Sequence, residues 1–379
     1  MCLHYLDNSA TTRVSEAAAK KALELMTENF GNPSSLYSFG MRAEDELNKA
    51  RSVIAKALSV SEEEIFFTSG GTEGNNLAVL GAVQALRRRG NKIVTTAVEH
   101  SSVYETASYL EGQGFEVVRI RPDKSGNFAP EDFRNAIDEK TILVSVMAVN
   151  NEIGTVLPVE KLRKYIEFKG SPAILHSDCV QAFGKIPLRL GKLGVDIATI
   201  SGHKIHAPKG VGAVYIRKGL RIKPIHFGGE QEKKLRPGTE AMPLIAAFGT
   251  AAGELDIPKS YTKAKELKAY LLQKLSELDG VVINSPENAV PYILNFSPVG
   301  IRSETMLHFL AQREIYVSSG SACAKGKPSH VLEAMSLDRG VADSAIRVSF
   351  CSDNTTEDID ALVSALRDGM NTLVKRKQI

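Results

Sequence analysis

The run KIVTTAVEHSSVYETASYLEGQGFEVVRI, residues 92–120, decides the fold. Its two ends, 92–98 and 116–120, are short apolar strands, and the segment between them, 101–111, repeats apolar residues at helical spacing. The same alternation extends outward, with helical periodicity at 15–30, 43–58 and 73–89 and a further apolar strand at 142–149. Strands at 197–200 and 211–216 complete the pattern, which predicts an α/β domain built on a largely parallel sheet. A helical segment at 243–255 leads into Pro258, and a longer amphipathic helix follows to about residue 278. The rest, with strands near 281–284, 292–296 and 346–350 and helices near 303–312 and 356–367, reads as a compact α+β unit. The expected division is a large domain, 15–257, and a small one, 258–379, joined by the N-terminal segment 1–14.

Composition narrows the function classes. Lys and Arg number 47 against 44 Asp and Glu, a formal charge of +3 that gives no electrostatic reason to expect nucleic acid or an anionic membrane as partner. Small molecules and proteins are the expected partners. Arg87-Arg88-Arg89 follows a helix whose carbonyl end cations complement, so it reads as a solvated terminus. Cys2, Cys179, Cys323 and Cys351 have neither Cys-x-x-Cys spacing nor the density of a disulfide scaffold, which fits a reducing, cytoplasmic setting. Residues 1–7 lack the pattern of a signal peptide, and no stretch supplies the apolar run of a membrane span.

Two segments carry the chemistry, Asp178-Cys179-Val180-Gln181 and Ser201-Gly202-His203-Lys204. A lysine amine can form a Schiff base with an aldehyde, and a carboxylate at a pyridine nitrogen keeps that nitrogen protonated. Together they are what pyridoxal phosphate requires. Gln181 could hydrogen-bond the ring hydroxyl. Taken alone, Lys204 also fits a solvated surface lysine, and Asp178 a helix cap or turn. Thr68-Ser69-Gly70-Gly71-Thr72-Glu73-Gly74-Asn75-Asn76 follows apolar residues 65–67 and opens a helix, a geometry that presents free amides to a phosphate or makes a tight capped turn. His100 follows a strand, where it could stack on a ring, transfer protons or cap the next helix. Asn150-Asn151-Glu152 also ends a strand, so its amides could serve the loop or a ligand. His203 and His206 have the spacing of a metal pair, but no third ligand is placed to complete a site. Ser318-Ser319-Gly320-Ser321-Ala322-Cys323-Ala324-Lys325-Gly326-Lys327 is a small-residue loop whose cysteine, near two lysines, fits a reactive thiolate or a packed structural thiol.

In this order the segments resemble the cysteine desulfurases of the class V aminotransferase family, whose fold is the type I pyridoxal-phosphate fold. The likeness begins at Asp7-Asn8-Ser9-Ala10-Thr11-Thr12 and Gly31-Asn32-Pro33-Ser34-Ser35, includes Arg236–Thr239, and ends at Arg347. It implies that Lys204 carries the cofactor, Asp178 pairs with the ring nitrogen, Gln181 bonds the ring oxygen and His100 stacks on the ring. Gly71, Thr72, Ser201 and His203 would hold the phosphate, and Thr239 would reach the phosphate of the neighbouring subunit in a homodimer. Asn151 would lie beside cofactor and substrate, and Arg347 would bind the substrate carboxylate. The implied reaction takes L-cysteine to L-alanine and leaves a persulfide on Cys323, which passes to a sulfur acceptor such as an iron–sulfur scaffold or a tRNA-thiolating enzyme.

The sequence departs from the family pattern at Tyr37, Gly74 and Ala207, and in a shorter loop after Cys323. None of these removes a catalytic group. Another pyridoxal-phosphate reaction on the same fold, or a non-catalytic sulfur-assembly partner, are the rival readings. Cys323 separates the desulfurase from the first of these, and Lys204, Asp178, His100 and Cys323 together argue against the second.

Overall fold

A computed structural model describes residues 3–319 and 329–373. The first strand, β1 (His4–Tyr5), belongs to the far end of the chain and is taken up below. Seven strands then form the central sheet: β2 (Ile65–Thr68), β3 (Lys92–Thr96), β4 (Glu116–Ile120), β5 (Thr141–Ser145), β6 (Ile174–Asp178), β7 (Ile197–Ser201) and β8 (Gly212–Ile216). Their order is β2-β8-β7-β6-β5-β3-β4, with every pairing parallel except the two made by β8. The largely parallel sheet expected from the alternation is therefore present, and the antiparallel β8 makes it mixed.

Successive strand residues feed two different cores, as a pleated backbone requires. Ile93, Leu143, Ile174, Ile197 and Val214 point to the face covered by the helix Gly71–Leu86. Their neighbours Val94, Val144, Leu175, Ala198 and Ala213 point to the other face, toward the core shared with the helices Glu16–Thr27, Ser38–Leu58 and Met242–Gly253. Both faces are covered, so the strands are apolar on both sides. β6 escapes the apolar pattern because it carries His176, Ser177 and Asp178, all nearly fully buried. The strand tolerates His176 because its ring hydrogen-bonds Ser145 on one side and Thr199 on the other, and burial pushes its pKa down to about 3. β3 stops at Thr96, short of 98, where the Thr96 hydroxyl turns to donate to Glu99.

A second unit has the antiparallel strands β9 (Val281–Ile283), β10 (Ile293–Pro298) and β12 (Ile346–Ser349) in the order β12-β10-β9, beside the short strand β11 (Ile315–Tyr316). The helices Ile257–Leu275, Ser303–Ala311 and Thr356–Thr372 pack on it around Leu271, Phe296, Ile346 and Leu362. Here β1 pairs in parallel with β11, and Leu6 joins this core. Residues 8–12 then cross to the large sheet. Val290, Tyr292 and Ala345 pack into the large core, so the two units share a seam rather than a single linker residue. Among the described residues, no helix is long and apolar enough to cross a membrane.

Candidate active site

The carboxyl ends of β2, β3, β5, β6 and β7 meet at one edge, and a cavity of about 720 Å³ opens there. Of the residues singled out in the sequence, Gly71 and Thr72 follow β2, His100 follows β3 and Asn151 follows β5. Asp178 and Gln181 come from the end of β6, Ser201, His203 and Lys204 from the end of β7, and Arg347 from β12 of the second unit. All ten line this cavity. Its position is the one a parallel sheet predisposes, above the carboxyl ends of its strands.

Asp178 is 5% exposed, and both its oxygens are held. Val180 N–H donates to Oδ1 at 2.9 Å and Asn75 Nδ2 donates to Oδ2 at 2.7 Å, which fixes the plane of the carboxylate. Asn75 also donates to Ser102 Oγ at 2.8 Å, and that hydroxyl lies 2.8 Å from His100 Nδ1. Because the Ser102 backbone N–H also donates to His100 Nδ1, at 3.2 Å, that nitrogen is an acceptor and the neutral ring carries its proton on Nε2. Burial lowers the pKa of His100, as do Lys204 and His330, against an opposing pull from Asp178. His100 thus caps its helix and lines the cavity at once.

Lys204 Nζ donates to the carbonyls of Ser9 at 2.6 Å and Ala10 at 2.7 Å, so the N-terminal crossing segment supplies its seat. The same segment is stitched to the next turn through Thr12, whose backbone N–H and hydroxyl both donate to His203 O. His203 stays neutral near pH 7, because burial, with Lys204 and other nearby cations, pushes its pKa down to about 4. Arg347 is 3% exposed. Its terminal nitrogens donate to Asp7 Oδ1 at 2.7 Å and to Asn151 O at 2.8 Å, and its Nε has no hydrogen-bond partner among the described residues.

Beyond the residues read from the sequence, the structure brings in Ser102, Ser329 and His330, and it gives definite partners to Asn75 and Glu152, which the sequence motifs contained without an assigned role. Glu152 lines the cavity, accepts from Ser329 Oγ at 2.5 Å and is pushed up to about 7 by burial. His330 Nε2 lies 2.9 Å from Glu99 O, and its ring sits 5.2 Å from that of Tyr104. Polar residues on the buried face of the helix Gly71–Leu86 were the available signal for Asn75. For the others the partners are too far apart in sequence to leave one.

The comparisons with known proteins cover nearly the whole chain. The family model described as aminotransferase class-V matches residues 4–362. The chain belongs to the class V aminotransferase family. It is similar to the cysteine desulfurase IscS of Methanosarcina thermophila, 40% identical over 96% of this chain and 90% of that protein. A solved NifS-like protein superimposes with a TM-score of 0.93 at 38% identity, covering 98% of this chain and all of the other. A structure of SspA in complex with cysteine gives 0.82 at 30% identity, covering 93% of this chain and all of SspA. The chain is a pyridoxal-phosphate-dependent class V enzyme of the cysteine desulfurase branch.

The residues present fit that cofactor. The first turn of the helix Gly71–Leu86 has amides without intrahelical acceptors. Beside it the Ser201 hydroxyl is 2% exposed and has no partner among the described residues, a buried polar group that a phosphate oxygen would satisfy. Gly71 gives that turn its close approach, since a Cβ there would meet Val180 Cγ2 at 2.9 Å. Thr239 does not line this cavity. Its segment is tied to the phosphate turn by Arg236, whose Nε donates to Glu73 Oε1 at 2.8 Å. Cys323 lies outside the described residues. Among those that are described, no group of three His, Cys, Asp or Glu could hold a metal ion.

The departure at Gly74 has a packing cause. A Cβ there would meet Thr199 Cγ2 at 2.6 Å and Val214 Cγ2 at 2.9 Å, so the Thr199 methyl takes the space a larger residue would use. Gly74→Ala should destabilise the protein by about 1–3 kcal/mol, through overpacking that outweighs alanine's better helix propensity. Thr199→Ser, which keeps the hydroxyl on His176 but removes the methyl, should recover much of that loss. Chemical denaturation of the single and double variants would show it. Additive losses would refute the explanation.

Proposed function

We propose that the enzyme desulfurates L-cysteine, giving L-alanine and a persulfide on Cys323. The observation that carries this reading is the opening of Lys204, Asp178, His100 and Arg347 onto one cavity. The likeness to SspA, which was solved with cysteine, supports the choice of substrate. When bound, pyridoxal phosphate supplies a covalent handle for an amino group and a sink for charge developed at the adjacent carbon.

The protein's part follows from its geometry. Lys204 would hold the cofactor and, once free, would take the Cα proton; in the chain itself its amine is seated by the Ser9 and Ala10 carbonyls. Asp178, with its plane set by Asn75 and Val180, would keep the ring nitrogen in its protonated form. The amides at Gly71 and Thr72, with Ser201 and His203, would hold the phosphate, and Gln181 would face the ring oxygen. His100 would stack on the ring, and its Nε2–H would serve there as a hydrogen-bond donor. Cys323 attacks as a thiolate at the substrate sulfur. The S–Cβ bond breaks, its electron pair stays with the substrate, and alanine is completed by protonation at Cβ and by return of a proton to Cα from the Lys204 amine.

Arg347 and Asn151 orient the substrate carboxylate. Arg347→Lys loses the planar fork and leaves Asp7 with a less directed partner, so KM for cysteine should rise about 10–100-fold with a smaller change in kcat. An unchanged KM would remove Arg347 from substrate binding. The functional unit is a homodimer in which Thr239 reaches the partner's phosphate. The enzyme works in the cytoplasm and passes sulfur to an iron–sulfur scaffold or a tRNA-thiolating enzyme. Intact mass after incubation with L-cysteine tests the covalent step. One added sulfur, removed by dithiol and absent in Cys323→Ser, is expected, whereas a sulfur on the Cys323→Ser variant would move the persulfide elsewhere.

A further inference from the structure

Behind the cofactor cavity lies a second one of about 420 Å³, and Lys204 lines both. Lys185 and Cys351 line the second only. Lys185 lies four residues after Gln181 in the turn that follows β6, and its Nζ donates to Gln181 Oε1 at 3.1 Å while lying 5.0 Å from the centre of the Tyr292 ring. Tyr292 is itself fastened to this turn, its hydroxyl donating to the Gln181 backbone carbonyl at 2.7 Å.

We propose that Lys185 is a positioning residue that fixes the orientation of the Gln181 amide, so that Gln181 presents N–H rather than C=O to the cofactor's ring oxygen. The proposal rests on the reading of Gln181 as the residue facing that oxygen. A carboxamide can turn over to exchange its oxygen and nitrogen with little change of shape, and only its hydrogen-bond partners decide between the two states. An ammonium can only donate, so it requires Oε1 on its side. The amide nitrogen is then placed on the other, where it donates to Ser9 O at 2.9 Å and keeps its second N–H for the cavity. Ser9 O is also an acceptor for Lys204, which ties the amide to the residue that carries the cofactor.

The surroundings of Lys185 suit this role better than that of a surface charge. The residue is half-buried, and desolvation of its ammonium, with Lys204 and Arg347 nearby, pushes its pKa down to about 7. No carboxylate hydrogen-bonds it among the described residues, and the face of Tyr292 takes the place of an anion. Below that pKa the ammonium has no lone pair and enforces the orientation, whereas the neutral amine can also accept and holds it only through the N–H it gives to Oε1.

A donor on the ring oxygen competes with the proton on the lysine-linked nitrogen, so it lowers the pH at which the bound chromophore changes colour. The absorbance of the cofactor-loaded enzyme is titrated against pH for the parent, Lys185→Met, Lys185→Arg, Gln181→Leu and the double variant Lys185→Met/Gln181→Leu. Losing one well-aimed hydrogen bond is expected to raise the midpoint by about half to one pH unit in both Lys185→Met and Gln181→Leu. Lys185→Arg, which still donates, should return most of the shift. In the Gln181→Leu background, replacing Lys185 should move the midpoint by less than half as much as it does alone. Equal shifts in both backgrounds would overturn the proposal, because Lys185 would then act by its charge and not through the amide. A midpoint unchanged in Lys185→Met, with Gln181→Leu shifted, would overturn it while sparing the role of Gln181. An unchanged midpoint in Gln181→Leu would overturn both.

Discussion

Replacing Lys204 by alanine should lower turnover of cysteine by about 10⁴-fold or more, because one residue both carries the cofactor and takes the Cα proton. The folded structure should survive. Lys204 reaches its seat through two hydrogen bonds to the carbonyls of Ser9 and Ala10, whereas its turn is independently held by Thr12 on His203 O and by Ile205 N–H on Gly202 O. The variant should therefore keep a noncovalent site for the phosphate, at the helix Gly71–Leu86 and Ser201, but lose the absorbance of the lysine-linked form. Cofactor spectra and single-turnover assays would check both halves. Normal turnover would overturn the assignment of Lys204.

Asp178→Asn should cost about 10²–10³-fold in kcat while leaving the fold and the phosphate seat in place. The local network allows the new side chain to fit. Val180 N–H requires an acceptor at Oδ1, so the asparagine oxygen takes that position and its NH₂ faces Asn75. Asn75 can turn over to meet it with Oδ1, which has no partner in the native arrangement among the described residues, at the expense of its bond to Ser102. What is lost is the negative charge that keeps the ring nitrogen protonated. The distinguishing result is a kcat loss with near-normal thermal stability. A variant as active as the parent would mean that the ring nitrogen needs no counter-charge here.

The residues that end strands were the most legible part of this chain. Gly71–Thr72, His100, Asn151 and Lys204 each follow an apolar run that a period of two or a buried strand identifies, and a parallel sheet brings such ends to one edge. The segment of β6 that carries Asp178 was less so. Its strand reads as polar because His176 spends both ring nitrogens on neighbouring strands, a pairing visible only once β5 and β7 flank it. The N-terminal segment was read as a joint between domains. The contacts it makes there, Leu6 in the second core and Ser9 and Ala10 over Lys204, span most of the chain length. The same distance hid Asp7 on Arg347 and Ser329 on Glu152. Motif reading finds chemistry-bearing residue types, but the hydrogen bonds that orient them join segments whose proximity the fold alone creates.

The account's central claim is desulfuration of cysteine through Cys323, and the most direct measurement is alanine released from L-cysteine by the cofactor-loaded protein with a dithiol present, run beside Cys323→Ser. The account predicts steady alanine from the parent and none above background from a variant that still shows the bound-cofactor spectrum. Equal alanine from both proteins, or none from either, would contradict it.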